Sequence, residues 1–512
     1  MNKIIISGIL TLSIFFCSCN EDVIDLLPIG DTEAIFFQNE EQMDMAAMGM
    51  YQKICWYYIQ RGGPNNNITQ VMLLPSDDLT IPAANAFENF VQLNGSQARS
   101  GEYYQFTYQL IARANVMLKK IEENGDFAYQ SKPDQKNWNK GEALFFRAFG
   151  HWNLWNVFGT APKVTEVLNL DNCYLPNTTG TELLDQAIND LEEAVKLLPA
   201  GWDSKFLGRL TKNTALGLRG KALMFRGTVN KSNADFTAAL ADFNAIQGRS
   251  LTANYGDNFE PQTENNVESL FEYQASDQMV LINVWLDNDD FPVIGDISHY
   301  IGYYIHLPTT ITSQNLYYRA TVPLQNAYED DDPRKAYNIN PDAATNRSNV
   351  LKYTHNYVLC VPPFGPGQGI ITTNPRILRY ADVLLLKAEA LVRSGGNLSD
   401  AIGLINQIRE RARNSTVDGT PSAIPADRDV SETDRSTVLE WVFQERRLEL
   451  FAEEGHRWWD LRRRHIAGEI DLKTLDFGSL NANCKFEDKN IYFALPEREV
   501  VDNPNLKQND GY

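Results

Sequence analysis

One stretch constrains the fold of this chain more than any other: residues 437–464, TVLEWVFQERRLELFAEEGHRWWDLRRR. Val438, Trp441, Val442, Leu448, Phe451 and Ala452 recur at three- and four-residue steps and so share one helical face. Arg446, Glu449 and Glu453 lie one turn apart on another face, at the spacing of helix ion pairs. Gly455 ends or kinks the helix. Glu445 and Glu449 are also one turn apart, within the reach of the paired carboxylates of a glycosidase. Arg446 and Arg447 follow directly, so the carboxylates read as members of salt bridges rather than as an active site. Glu445, Arg446, Glu449, Arg457 and Asp460 are expected to hold the C-terminal helices together.

The 512 residues, 43% of them hydrophobic, allow a large core and one to three domains. A formal charge of −20 sets up a field that repels phosphate backbones and disfavours nucleic acid as a partner, while an uncharged ligand is indifferent to it. The first residues read as a targeting segment. Lys3 supplies the positive start and Ile4–Phe16 an apolar run too short to span a bilayer. Ser18 before Cys19 suggests a lipoprotein cleavage site, with residues 1–18 as signal peptide and Cys19 as the acylated N-terminus. Residues 19–35 then form an acidic tether, and residues 36–512 a single domain. Cys55, Cys173, Cys360 and Cys484 are far apart, form no CxxC, and read as buried thiols.

Helical periodicity appears at 39–60, where Met43, Ala46, Ala47, Met50 and Ile54 form the stripe, and again at 101–124 and 134–158. It continues at 180–198, 212–227, 234–246, 376–393 and 395–412. The segments LLDQAINDLEEAVKLLP and GGNLSDAIGLINQIRERA resemble second helices of tetratricopeptide repeats, with Ala388, Ala390 and Ala401 small enough for close helix pairing. The fold class expected is therefore mostly all-α: tetratricopeptide-like helix pairs forming a solenoid core, interrupted by a large irregular insertion at about 250–375. Residues 61–98 also lack period and read as a long loop.

No HExxH, zinc spacing, GxSxG elbow or phosphate loop is present; GPGQG at 365–369 is not followed by GK[ST]. The acidic runs Asp287–Asp290 and Glu329–Asp332 do not fit an EF-hand loop and read as solvated loop charge. The loops are rich in aromatic rings beside amides and carboxylates. Flat rings suit the C–H faces of sugars, while Asp, Asn and Arg suit their hydroxyls. On this chemistry the candidate ligand-binding residues are Asp77, Asp78, Phe87, Trp285, Asn288, Tyr303 and Tyr304.

A set of motifs in fixed order gives the chain a family likeness. Cys19-Asn20-Glu21-Asp22, Pro75-Ser76-Asp77-Asp78 and Arg113-Ala114-Asn115 come first. Glu142–Ala148, Phe158-Gly159-Thr160-Ala161-Pro162, Asp332-Pro333-Arg334 and Arg379–Leu385 follow. Glu445–Leu450, Gly455-His456-Arg457, Asp460-Leu461 and a closing Asn503-Pro504 … Gln508-Asn509-Asp510-Gly511-Tyr512 complete the series. Taken together, the chain resembles the SusD/RagB family of outer-membrane nutrient-binding lipoproteins of Bacteroidetes. The resemblance implies a protein that is not an enzyme, lipid-anchored in the outer membrane and facing the cell exterior. It implies capture of oligosaccharides, or in some members peptides, for a TonB-dependent transporter of the SusC type, and no catalytic cofactor. Some members bind calcium structurally, but no motif here carries that ligand set. A surface glycosidase is the rival reading.

Overall fold

The computed structural model describes residues 36–58, 68–275, 318–342, 347–353, 355, 358–359, 369–370, 373–416, 418–481 and 483–512. Most of them are helical. The principal helices are α1 (Glu40–Lys53), α2 (Ala98–Ala128), α3 (Pro133–Val157), α4 (Glu182–Leu197), α5 (Lys212–Asn230) and α6 (Asn233–Ala245). They are followed by α7 (Tyr380–Arg393), α8 (Leu398–Asn414), α9 (Arg435–Glu449) and α10 (His456–Ile466). Their starts follow local chemistry. The Asn39 side chain accepts from the Gln42 N–H, Thr211 and Thr214 form a reciprocal capping box, and Pro133 occupies the first turn of α3.

From α2 to α8 each helix packs on the next, and α6 packs on α7 although residues 246–379 intervene. This is the interrupted solenoid that the periodicity predicts. Close approach depends on small side chains: Ala143, Ala388, Ala390 and Ala401 are fully buried, and a Cβ on Gly150 would come 2.5 Å from the Ile111 side chain. Helix α1 lies against α2 and α3, α9 against α7 and α8, and α10 against α5.

The insertion is closed at its base by an antiparallel pair, Ser269–Glu272 with Arg376–Arg379. The expected helix 376–393 therefore begins four residues late. Residues 376–379 are strand because Ser269–Glu272 pairs with them, and the pairing is held by Arg376 reaching Glu272 at 2.8 Å and Arg379 reaching Glu268 at 2.7 Å. A second sheet has the order Leu79–Thr80, Arg319–Ala320, Arg347–Val350, Ile339–Asp342. Two short helices, Val322–Ala327 and Pro333–Asn338, were not legible as period; each starts on a capping side chain, Thr321 and Asp332. The long loop 61–98 likewise contains short helices at Gln70–Leu73 and Ala86–Asn89.

Two sequence readings need correction. Asp332 of the second acidic run is buried, not solvated, and pairs with Arg334 at 2.8 Å; the run at 287–290 lies outside the described residues. Cys55 is buried, but Cys173 and Cys484 are only partly so; Cys360 lies outside the described residues, as do residues 1–35.

Candidate functional site

The helices of the 437–464 stretch bring charge into the interior and meet it there with opposite charge. Glu449 is buried and accepts from Arg379 (2.7 Å), Arg334 (3.1 Å) and Arg411. Glu445 accepts from Arg334 at 2.7 Å and Arg409 at 2.9 Å. Arg379 also grips Glu453 at 2.6 Å, and Lys352 donates to the same carboxylate and to the Phe451 carbonyl at 2.8 Å. A second group sits alongside. Arg446 joins Asp382 (2.6 Å) to Asp460 (2.7 Å), Lys221 also donates to Asp382 (2.8 Å), and Arg463 joins Asp460 (2.8 Å) to Glu389.

Arg446 thus pairs with α7 and α10 rather than with Glu449 on its own helix. The local ion-pair spacing is used to reach distant elements. Burial alone raises the Glu449 pKa, but Arg411, Arg379 and Arg334 outweigh it and hold the carboxyl well below the usual range. Arg446 and Arg463 likewise overcome burial and hold Asp460 at about 2.

This network supports a platform on which several loops begin and end. The Tyr58 and Tyr273 rings lie 5.7 Å apart, and the Tyr58 hydroxyl donates to Glu454. The Ala275 N–H donates to Asn374 Oδ1 at 2.6 Å, and Asn374 is held by Glu264 and Glu272 at 2.7 and 2.9 Å. The residues preceding 59 and 276 and those following 372 are therefore brought together. Further along, Arg319–Ala320 pairs with Leu79–Thr80, and Thr321 donates to the Asp77 and Asp78 carbonyls at 2.5 and 2.9 Å.

Asp77 and Asp78 were candidates for ligand contact, and their burial assigns them another task. Arg457 grips both oxygens of Asp77 at 2.7 and 2.9 Å, while Arg447 reaches Asp77 at 3.0 Å and Asp78 at 2.6 Å. Phe87 is also buried and packs on Phe493 with ring centroids 5.5 Å apart. In this structure these three residues anchor the loops to the scaffold. Trp285, Asn288, Tyr303 and Tyr304 lie outside the described residues, as does Cys19. Sequence reasoning missed Tyr58, Tyr273 and Asn374; the aromatic run Trp56-Tyr57-Tyr58 directly before RGGPNNN was the available signal for the first.

Two consequences are measurable. Asp77→Ala takes the bidentate partner from Arg457 and one of two carboxylates from Arg447, which keeps Asp78; it should cost about 1–3 kcal/mol in a urea titration. Burial pushes Glu454 up to about 7 from 4.5, with the Tyr58 hydrogen bond pulling the other way. An unfolded glutamate ionises first as pH rises from about 4.5 to 7, so this residue costs the folded state stability across that window. Glu454→Gln keeps an acceptor for Tyr58 and removes the cost: its melting temperature should exceed that of the natural protein at pH 8 and match it at pH 4.

Two clefts, ≈ 1040 and ≈ 500 Å³, lie along α2, remote in sequence from the platform residues, and are lined by residues such as Lys119, Lys140 and Thr165 or Tyr104, Tyr108 and Leu175. Among the described residues no group of three or more His, Cys, Asp or Glu side chains is placed to hold a metal ion, and no helix is long and apolar enough to cross a membrane.

Known proteins share this architecture. Residues 255–512 match the SusD family, and residues 32–227 match a family described as starch-binding associating with outer membrane. SusD-like protein P38 of Formosa agariphila is 28% identical, with 83% of each chain covered. A SusD homolog from Bacteroides thetaiotaomicron superposes with a TM-score of 0.75 at 19% identity, covering 94% of this chain and 99% of that one. Surface glycan-binding protein A of the same species, solved in complex with laminarihexaose, has a TM-score of 0.70 at 18% identity, covering 92% and 99%. The chain belongs to the SusD family, which places it among binding proteins and not among enzymes.

Proposed function

We propose that this chain is a cell-surface lipoprotein, anchored in the outer membrane through Cys19, that binds oligosaccharides and passes them to a TonB-dependent transporter of the SusC type. The observation that carries the binding reading is the platform. Segments filled with aromatic and amide residues, 276–317 above all, start and finish on a base locked by buried ion pairs. A rigid base suits binding, because fixing the ends of a segment lowers the entropy lost when a ligand arrives. The starch-binding description of the matched family and the laminarihexaose complex of a structural relative support carbohydrate as the ligand class. Tethering ligand beside a transporter raises its local concentration without any chemistry.

Trp285→Ala and Tyr303→Ala test where the sugar sits. Each should weaken binding of its preferred oligosaccharide roughly tenfold, about 1.4 kcal/mol, while leaving the melting temperature nearly unchanged. A large fall in melting temperature with affinity retained would place these rings in the core. Co-purification with an outer-membrane barrel from the native envelope tests the partner.

A further inference from the structure

A separate small pocket lies between the helices and the platform. Its volume is ≈ 150 Å³, and its lining includes Gly201, Trp202, Arg209, Arg249, Asn265 and Glu272. That is room for about five waters, or a single sugar ring, and too little for a drug-sized ligand. Its walls are fixed. The Trp202 indole N–H donates to the Leu210 carbonyl at 2.8 Å, the Arg209 guanidinium stacks on its ring at 4.2 Å, and Trp138 meets it edge-on at 5.1 Å. Asn265 and Gln274 exchange amide hydrogen bonds at 2.8 and 3.0 Å. Gly208 makes space for that pair: its φ is +91°, and a Cβ there would come 2.5 Å from the Gln274 amide carbon.

The charges in the pocket are unequal in their commitments. Glu272 is buried and already accepts from Asn374 (2.9 Å) and the Asn265 N–H (3.1 Å) and pairs with Arg376 at 2.8 Å. Arg249 is half-buried and donates only to the Asn266 carbonyl, at 3.3 Å; its other N–H groups have no protein acceptor among the described residues. A guanidinium with unused donors beside an aromatic wall matches a planar carboxylate carried on a ring.

We propose that this pocket is a subsite for one acidic pyranose, a uronic acid residue, with its carboxylate on Arg249 and its ring against Trp202. The proposal rests on the glycan-binding reading and adds a preference for charged sugar at a place apart from the loops. Gln274, paired with Asn265 of the pocket wall, joins Asn374 of the platform through a 3.3 Å hydrogen bond.

Two variants test it. Nothing lies within 4 Å of a Cβ built on Gly201, so Gly201→Leu adds an apolar side chain at the pocket's edge with no clash at its Cβ. Arg249→Gln removes the cation and keeps the shape of the wall, and it carries the test alone if the leucine variant does not fold. Calorimetric titration uses trigalacturonic acid, its carboxyl-reduced neutral counterpart and laminarihexaose. The natural protein is expected to prefer the acid over its reduced form by at least roughly tenfold, about 1.4 kcal/mol. Each variant should lose that preference while binding laminarihexaose as before. Unchanged trigalacturonate affinity in Arg249→Gln, or a natural protein that binds neutral oligosaccharides and ignores the acid, overturns the subsite alone. A natural protein that binds none of the three, nor any other glycan, overturns the glycan-binding reading and the subsite with it.

Discussion

Glu449→Ala is expected to lower stability by about 3–5 kcal/mol, the range for breaking a buried ion pair by removing one partner. The reason lies in what remains. Arg334, Arg379 and Arg411 are almost fully buried, and each loses an acceptor at the same moment. Arg334 keeps Asp332 and Glu445, and Arg379 keeps Glu268 and Glu453, so the network is damaged but not emptied. Arg411 is left with Glu268. Chemical denaturation of the variant measures the loss. Oligosaccharide affinity at a temperature where the variant remains folded should be retained, because Glu449 lies beneath the platform and not on it. Lost affinity with unchanged stability would put this carboxylate in a binding site.

Acid is expected to have the other large effect. Glu449, Asp382, Asp460, Glu268 and Glu389 are all held below their usual range by buried cations, with Asp460 at about 2. A carboxyl depressed in the folded state contributes stability that is complete above its unfolded pKa, about 4, and is lost as pH falls through the folded value. Each such group adds up to about 1.4 kcal/mol per pH unit to the slope. Glu454 and Glu264, pushed up to about 7 by burial, act in the opposite sense: their cost fades as pH falls from about 7 to 4.5. Stability should therefore peak at about pH 5 and fall steeply between about pH 4 and 2. Circular dichroism melts across that range check both the maximum and the collapse.

The helical part of the fold was legible because buried faces impose a period. Met43, Ala47 and Met50 mark α1, and Val438 and Val442 mark α9, as their burial confirms. What escaped was whatever depends on partners far away in sequence. Residues 376–379 carry a helical pattern, yet Ser269–Glu272 takes them into a strand. Helix α9 ends at Glu449, before Phe451 and Ala452, which complete its apolar series in the sequence; Gly455 precedes α10 instead of ending α9. Ala452 and Glu454 adopt positive φ in the turn between the two helices, a conformation no propensity favours for them.

The site was less legible than the scaffold. Asp77 and Asp78 sit in a polar loop sequence and look available, and only the tertiary structure brings Arg447 and Arg457 onto them from more than 350 positions away. The same holds for the platform itself. Tyr58, Tyr273 and Asn374 belong to three separate segments, and nothing in their local sequence says that they meet.

Isothermal titration calorimetry of the mature protein with a panel of oligosaccharides that includes laminarihexaose, followed by chromatography of the recovered sugar, tests the central claim most directly. Saturable binding of at least one oligosaccharide, with that sugar recovered at full length, is the predicted result. Peptide binding with no glycan bound, or shortened products in excess of the protein, would contradict it.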